Sequence, residues 1–188
     1  NISPFEGNDN TVGVSYNHYN AWRSTSRIEN GEPITLFRVA PERIPTNDMA
    51  LFLNGQQKLF ERLSIHYGGR FYRLDYDGNS KSNFSPRLAA VYNPAGSIYT
   101  KLIYGESFRT PTYFERASVL TSIHGNDQLA PEKTRSLDFI VMGSHRYWQW
   151  DINAYFSEFQ DRIIRVPPTD EEKSRYNNDG IKKIFRNS

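Results

Sequence analysis

The sequence predicts an all-β chain, an antiparallel meander forming part of a transmembrane β-barrel. Three observations carry this expectation. Apolar and polar residues alternate with a period of two in segment after segment, and helical periodicity is nearly absent. Tight turns alternate with long polar connections, the rhythm of strands that cross a bilayer with short turns on one side and long loops on the other. Aromatic residues reach 14%, with 12 Tyr, 12 Phe and 3 Trp, although hydrophobic residues as a whole are only 37%. An ordinary soluble core would draw more on Leu, Ile and Val.

Taken in chain order, residues 11–22 and 49–58 alternate weakly and residues 63–72 most clearly. There Leu63, Ile65, Tyr67, Gly69 and Phe71 share one face, and Ser64, His66, Gly68, Arg70 and Tyr72 the other. In residues 84–92, Phe84, Pro86, Leu88, Ala90 and Tyr92 oppose Ser85, Arg87 and Ala89. Residues 98–104 form a weaker strand. In residues 135–143, Leu137, Phe139 and Val141 oppose Ser136 and Asp138. In residues 148–157, Trp148, Trp150, Ile152, Ala154 and Phe156 oppose Asp151, Asn153, Tyr155 and Ser157. These make about seven strands, and a last one is expected to begin near Gly180. Tight turns fall at residues 59–61, 93–96 and 146–147. Long loops, assigned to the extracellular side, fall at about 23–48, 75–83, 108–133 and 165–179.

The physical reason for a barrel is that every backbone N–H and C=O in hydrocarbon must be paired, so a sheet in a membrane has to close. One strand face then meets lipid and the other a watery lumen. His66, Arg70, Arg87, Asp138 and Asp151 fall on the polar faces and are expected to line that lumen. A midplane Arg on the lipid face would cost roughly 2–4 kcal/mol. Tyr92, Tyr104, Tyr147, Trp148 and Trp150 suit the headgroup level.

Composition excludes other classes. With 23 Lys+Arg against 21 Asp+Glu, net charge is only +2, which argues against a nucleic-acid partner. The absence of Cys removes disulfides, thiolate zinc sites and cysteine nucleophiles. The longest apolar runs, at residues 88–92 and 139–142, are too short for a membrane-spanning helix. The N-terminus reads as that of a mature chain or of a piece of something longer, since it has no apolar signal region. No G-x-S-x-G motif or phosphate-cradling loop appears, so no enzyme is expected and no catalytic residue is assigned. The four histidines are scattered without metal-ligand spacing. Asp75, Asp77 and Asn79 begin like a calcium loop. Gly78 comes too early and Pro86 stands where a bidentate Glu belongs, so a polar turn is expected.

The segments FSPRLAAVYNP at 84–94, IYTKLIYGESFRTP at 98–111 and GNDQLAPEK at 125–133 follow one another in an order and spacing that resemble the barrel of TonB-dependent outer-membrane receptors. Residues 47–54 with 61–65, and 151–164 with 178–182, resemble the hairpins before and after. The resemblance covers most of residues 47–184. It implies a 22-stranded barrel of which residues 1–188 are a partial domain, with no plug domain in this stretch. It places the protein in the outer membrane of a Gram-negative bacterium, as an active-transport receptor for a siderophore-type iron chelate or similar scarce nutrient. The implied partners are outer-membrane lipid, the receptor's own plug and the TonB energy-coupling complex. His66, Arg70, Arg87, Asp138 and Asp151 would then face the plug.

Loop 108–133 supplies the candidate ligand-binding residues Arg109, Tyr113, Phe114, Arg116, His124 and Asn126. Arg pairs bidentately with carboxylates, and aromatic rings add flat contact area. No resident cofactor or metal is expected; haem or a ferric chelate enters only as cargo. His124 lies between FRTP and NDQL where haem receptors of this family carry a histidine, so a haem receptor is one alternative. A soluble β-sandwich serving as a binding or adhesion module is another, and a porin-like pore without energy coupling a third.

Overall fold

The computed structural model describes residues 8–21, 25–29, 32–37, 44–76, 78–118, 122–175 and 180–188. Asp77, Asn178 and Asp179, and parts of the expected loops 23–48, 108–133 and 165–179, lie outside the described residues. Seven strands build the main sheet: β1 (Asn8–Ala21), β4 (Ile44–Phe60), β5 (Leu63–Tyr76), β6 (Asn79–Tyr92), β7 (Ile98–Arg109), β9 (Glu132–His145) and β10 (Trp148–Gln160). They are hydrogen-bonded in the order β1-β4-β5-β6-β7-β9-β10, antiparallel throughout. These are the seven alternating segments of the sequence. The sheet is open, with β1 and β10 as its edges. A hairpin of β2 (Thr25–Glu29) and β3 (Glu32–Phe37) stands apart from it. A small third sheet joins β11 (Ile163–Val166), β12 (Lys183–Asn187) and β8 (Ile123–His124).

Register fixes which residues share a face. Val14 pairs with Leu51, Leu51 with Phe71 and Phe71 with Phe84. Leu88 pairs with Tyr104, Tyr104 with Leu137 and Leu137 with Phe156. One continuous apolar band therefore crosses all seven strands. It is uncovered: Val14 is 73% exposed, Phe84 57%, Ile152 65% and Phe156 67%. In a β-sandwich these side chains would be packed against a second sheet about 10 Å away. No such layer covers the band among the described residues, which overturns the sandwich alternative. The buried apolar residues instead sit near the loop end of the molecule, among them Leu74, Tyr76, Leu129, Ile184 and Phe185.

The apolar band has a sharp upper limit. Beyond Phe71 the same face carries Arg73 and Asp75, 3.1 Å apart; beyond Tyr104 and Leu137 it carries Glu106 and Arg135, 3.4 Å apart. Charge replaces hydrocarbon at one level across neighbouring strands, as a lipid boundary requires. At the turn end the exposed rings of Tyr92, Tyr147 and Trp148 mark the opposite limit. There Arg62 ties two hairpin turns together, its guanidinium donating to Pro94 O at 2.7 Å while Asn93 N donates to Arg62 O at 2.8 Å.

Three sequence expectations are corrected. The loop placed over residues 75–83 is a hairpin end: β5 and β6 stay paired to Tyr76↔Asn79. Its Asp, Asn, Gly and Ser content reads as a loop, but above the membrane a ladder accepts polar side chains on both faces. The strand expected from Gly180 does not extend the meander. Its Ile184 and Phe185 are adjacent and both buried, a pattern without alternation, and β12 packs into the loop-end sheet. Finally, the alternating segments of 7–12 residues are parts of longer strands of 12–17, because the ladders continue beyond the apolar band.

Candidate functional site

The face opposite the apolar band is polar and rich in small residues. Arg70 pairs with Ser85 and Phe52, Arg87 with Gly68 and Gly105, and His66 with Ala89 and Gln56. Asp138 pairs with Ile103 and Tyr155, and Asp151 with Met142. All five residues expected on the lumen side therefore share this one face.

A single irregularity interrupts it. The β6–β7 ladder stops at Arg87↔Gly105, although β6 continues to Asn79 and β7 to Arg109. The next residue of β6 is Pro86, which has no N–H to give a ladder. Above that point β7 parts from β6. Phe108 reaches Tyr72 of β5, two strands away in the sheet, with ring centroids 5.3 Å apart. The parting opens a cavity of about 550 Å³ lined by Arg70, Ser85, Arg87, Gly105, Glu106 and Ser107. A neighbouring cavity of about 350 Å³ shares Asn54, Gly68 and Arg87 with it and adds His66 and Lys101.

The described parts of loop 108–133 meet the upper end of this polar face at Tyr76. Its helix α1 (Tyr113–Ala117) is started by a capping box: Glu115 N donates to Thr112 Oγ1 at 3.2 Å, and Thr112 N to Glu115 Oε2 at 2.8 Å. Arg109 holds the helix to the sheet, donating to Glu115 Oε2 at 2.8 Å and to Glu132 Oε2 at 2.6 Å. Burial pushes the Glu115 carboxyl up, but the hydrogen bonds from Arg109 and Thr112 outweigh it and hold its pKa below the usual carboxylate range. The guanidinium of Arg116 lies 3.5 Å from the ring centroid of Tyr76, a side chain on the polar face of β5.

The same loop is knitted to the chain's last strand. Asn126 Nδ2 donates to Phe185 O at 3.1 Å, and the Phe114 ring meets Phe185 edge-on at 5.9 Å. Asn187 accepts from Ala130 N at 2.8 Å and donates to Ala130 O and Asp161 O at 3.1 and 2.6 Å. Nearby, α2 (Asp170–Arg175) is anchored by Arg186, which donates to Glu172 at 2.8 Å. Burial raises the Glu172 carboxyl, and the Thr169 N–H and Arg186 more than offset it, leaving the pKa lowered.

The six candidate ligand residues are thus gathered into one cap, with different fates. Arg109 and Asn126 are bonded to the cap's own carboxylates and backbone. Phe114 contacts Phe185 yet stays 43% exposed, and Tyr113 opens α1 half-buried. His124 lies in β8 beside Ile184, its Nδ1 2.8 Å from Gly125 O. Arg116 is the one whose guanidinium is stacked over the polar face. Sequence reasoning missed Tyr76, Glu132 and Asn187. The T-x-x-E capping pattern at 112–115 was a readable signal for the helix; nothing local marks Asn187.

Comparison with known proteins agrees with this architecture. Residues 2–184 match the family model described as TonB dependent receptor-like, beta-barrel. The chain is 30% identical over 130 residues to the iron-regulated outer membrane virulence protein of Vibrio cholerae, covering 65% of this chain and 20% of that protein. It is 28% identical over 98 residues to the vitamin B12 transporter BtuB of Photobacterium profundum, covering 52% of this chain and 16% of the other. The siderophore receptor PirA from Pseudomonas aeruginosa superimposes with a TM-score of 0.70 at 15% identity, over 96% of this chain and 30% of that one. The chain therefore spans about a fifth of the curated relatives' length and under a third of the solved receptor. Seven paired strands, an uncovered apolar band and a polar face capped by loops are what a sector of such a barrel wall presents, and the chain belongs to the TonB-dependent receptor β-barrel family of the outer membrane.

Proposed function

We infer that the protein containing this chain imports an iron chelate of the siderophore type across the outer membrane. The observation that carries this reading is the polar face with its two adjoining cavities, together with a folded cap at the loop end in which the Arg116 guanidinium lies over the Tyr76 ring of that face and Phe114 stays exposed. The iron-linked names of the V. cholerae relative and of the P. aeruginosa receptor support iron as the nutrient. In this reading the cap and upper wall capture the chelate. The wall residues His66, Arg70, Arg87, Asp138 and Asp151 face a plug, and energy from TonB rearranges that plug to release the cargo inward. The test is uptake of radiolabelled iron by cells that carry the full-length receptor as their sole chelate receptor, with and without TonB. TonB-dependent uptake of a ferric chelate is expected; uptake of cobalamin or haem with none of ferric chelate would overturn the reading.

A further inference from the structure

We propose that the β9–β10 hairpin turn binds the phosphate headgroup of an anionic glycerophospholipid in the periplasmic leaflet. The inference concerns the outer surface of the wall and is independent of what the receptor imports.

Position is the first observation. The lipid-facing side of the sheet can be followed to its turn end through the pairs Val141↔Ile152 and Gly143↔Trp150, and the next pair on that side is His145↔Trp148. Arg146 and Tyr147 form the turn itself. His145 and Trp148 therefore point away from the lumen and from any plug. They lie at the end of the short turns, which in an outer-membrane barrel is the periplasmic one. An acyl chain lying against Ile152, which is 65% exposed, brings its headgroup to the level of Trp148 and Tyr147.

The second observation is how the turn is built. The His145 ring meets both Tyr147 and Trp148, with centroids 6.4 and 6.1 Å apart. The Arg146 guanidinium lies over the Tyr147 ring, 5.2 Å from its centroid. A guanidinium laid on an aromatic face is held in place while its N–H edge stays available to pair bidentately with a phosphate. The other guanidinium–ring stacks among the described residues, at Tyr72, Tyr76, Phe159 and Phe185, belong to the loop half of the molecule. Interfacial rings alone hold a barrel at the headgroup level of any lipid. The stacked guanidinium adds a preference for negative charge.

The third observation is the sign of the charge. At the loop-side limit of the apolar band each arginine is matched by an acid, Arg73 by Asp75 and Arg135 by Glu106. At the turn-side limit the balance is gone: residues 79–105 and 139–150, which supply the turn-side ends of β6, β7, β9 and β10, contain no Asp or Glu. Arg62, on the neighbouring turn, is preceded by Glu61 and is committed to Pro94 O at 2.7 Å. Arg146 is thus a cation presented at the headgroup level with no acid along its own hairpin end to offset it, and a negatively charged headgroup is its complement.

The experiment uses the purified full-length receptor, delipidated in a neutral detergent, and two lipid probes with identical acyl chains: anionic phosphatidylglycerol and net-neutral phosphatidylethanolamine. Native mass spectrometry reads the lipid retained. Phosphatidylglycerol is expected to be retained about fivefold better. Arg146→Gln should remove that preference. Arg146→Lys, which keeps the charge but loses the stacked fork, and Tyr147→Leu, which removes the support, should each lower it about two- to threefold. Arg62→Gln should leave it unchanged. The turn side chains are exposed, so these variants should unfold in urea as the parent does. Should Arg146→Gln fail to assemble, Arg146→Lys and Tyr147→Leu carry the test. Equal retention of the two lipids by the parent, or a preference that survives every change at Arg146 and Tyr147, would overturn the site. An equal loss in Arg62→Gln would also overturn it, since the preference would then be a diffuse effect of rim charge. Displacement of the lipid by millimolar inorganic phosphate would overturn it as well, showing a site for free phosphate instead.

Discussion

The indole of Trp150 lies across the open side of Gly143. The two are direct register partners on adjacent strands, and a Cβ on Gly143 would fall 2.3 Å from the indole Cε2. Gly143 is buried although its neighbours on the apolar face are not, so the ring itself provides its cover. Such a pairing offsets the entropic weakness of glycine in a strand and holds the aromatic against the wall near the headgroup level. Gly143→Ala must expel the indole and is expected to cost about 1–3 kcal/mol, the range for overpacking a filled site. Gly105→Ala, which meets nothing, should stay within about 0.5 kcal/mol. Urea unfolding of the full-length receptor in lipid vesicles measures both.

Arg109 sits between two carboxylates, and its removal leaves Glu115 and Glu132 facing each other with nothing between. The guanidinium is 44% exposed, so the clasp belongs with solvent-screened networks rather than buried ion pairs. A cost of about 1 kcal/mol is appropriate. Arg109→Ala should therefore loosen the cap without melting the wall. Proteolysis between residues 110 and 131 is expected to quicken several-fold, with barrel unfolding unmoved. Arg109→Lys should restore only part of the protection, because an ammonium cannot bridge both carboxylates in the fork geometry.

The cap should also respond to acid. The pKa values of Glu115 and Glu172 are lowered by folding, through hydrogen bonds from Arg109 and Thr112 in one case and from Thr169 and Arg186 in the other. A depressed carboxylate pKa contributes stability that is complete above the unfolded value of about 4.3 and disappears as pH falls through the lower folded value. Hydrogen exchange is expected to show residues 110–131 and 169–175 opening as the pH falls below the unfolded carboxylate range of about 4.3, with the β4–β5 ladder still protected. In Glu115→Gln the acid-dependent part of the 110–131 opening should shrink to what Glu132, the other carboxylate held by Arg109, still contributes. The cap would then be looser at neutral pH, as the ion pair with Arg109 is gone.

The wall was legible and the cap was not, for a physical reason. In a barrel each strand must keep one face for lipid, so the period-two pattern of Leu63 to Phe71 or Trp148 to Phe156 writes the sheet directly into the sequence. The same logic put His66, Arg70, Arg87, Asp138 and Asp151 on one face before any coordinates. The cap obeys no such period. Its contacts join Ala130 to Asn187 and Asn126 to Phe185, separations of 57 and 59 residues, through single side-chain amides. The gap at β6–β7 lies between these extremes. Pro86 was visible in the sequence, but only the register shows that the ladder ends one residue after it.

Asn187 gives that long-range stitching its sharpest test. One side chain accepts from Ala130 N and donates to Ala130 O and Asp161 O, joining the segment before β9 to the turn after β10 and to the last strand. An amide alone can do this, because the site needs an acceptor and two donors on one planar group. Asn187→Asp keeps the shape and the acceptor but turns the donor end into a charged oxygen aimed at two carbonyls. It should therefore destabilise the cap more than Asn187→Ala, which removes both functions and admits water. The alanine change is expected to cost about 1–3 kcal/mol of local stability, and the aspartate change to exceed it at neutral pH and approach it once the carboxyl is protonated. Native-state hydrogen exchange at the amides of Ala130 and Ile163 distinguishes the two. Equal protection in the aspartate variant and the parent at pH 7 would show that the amide's two donors contribute nothing to holding the loops together.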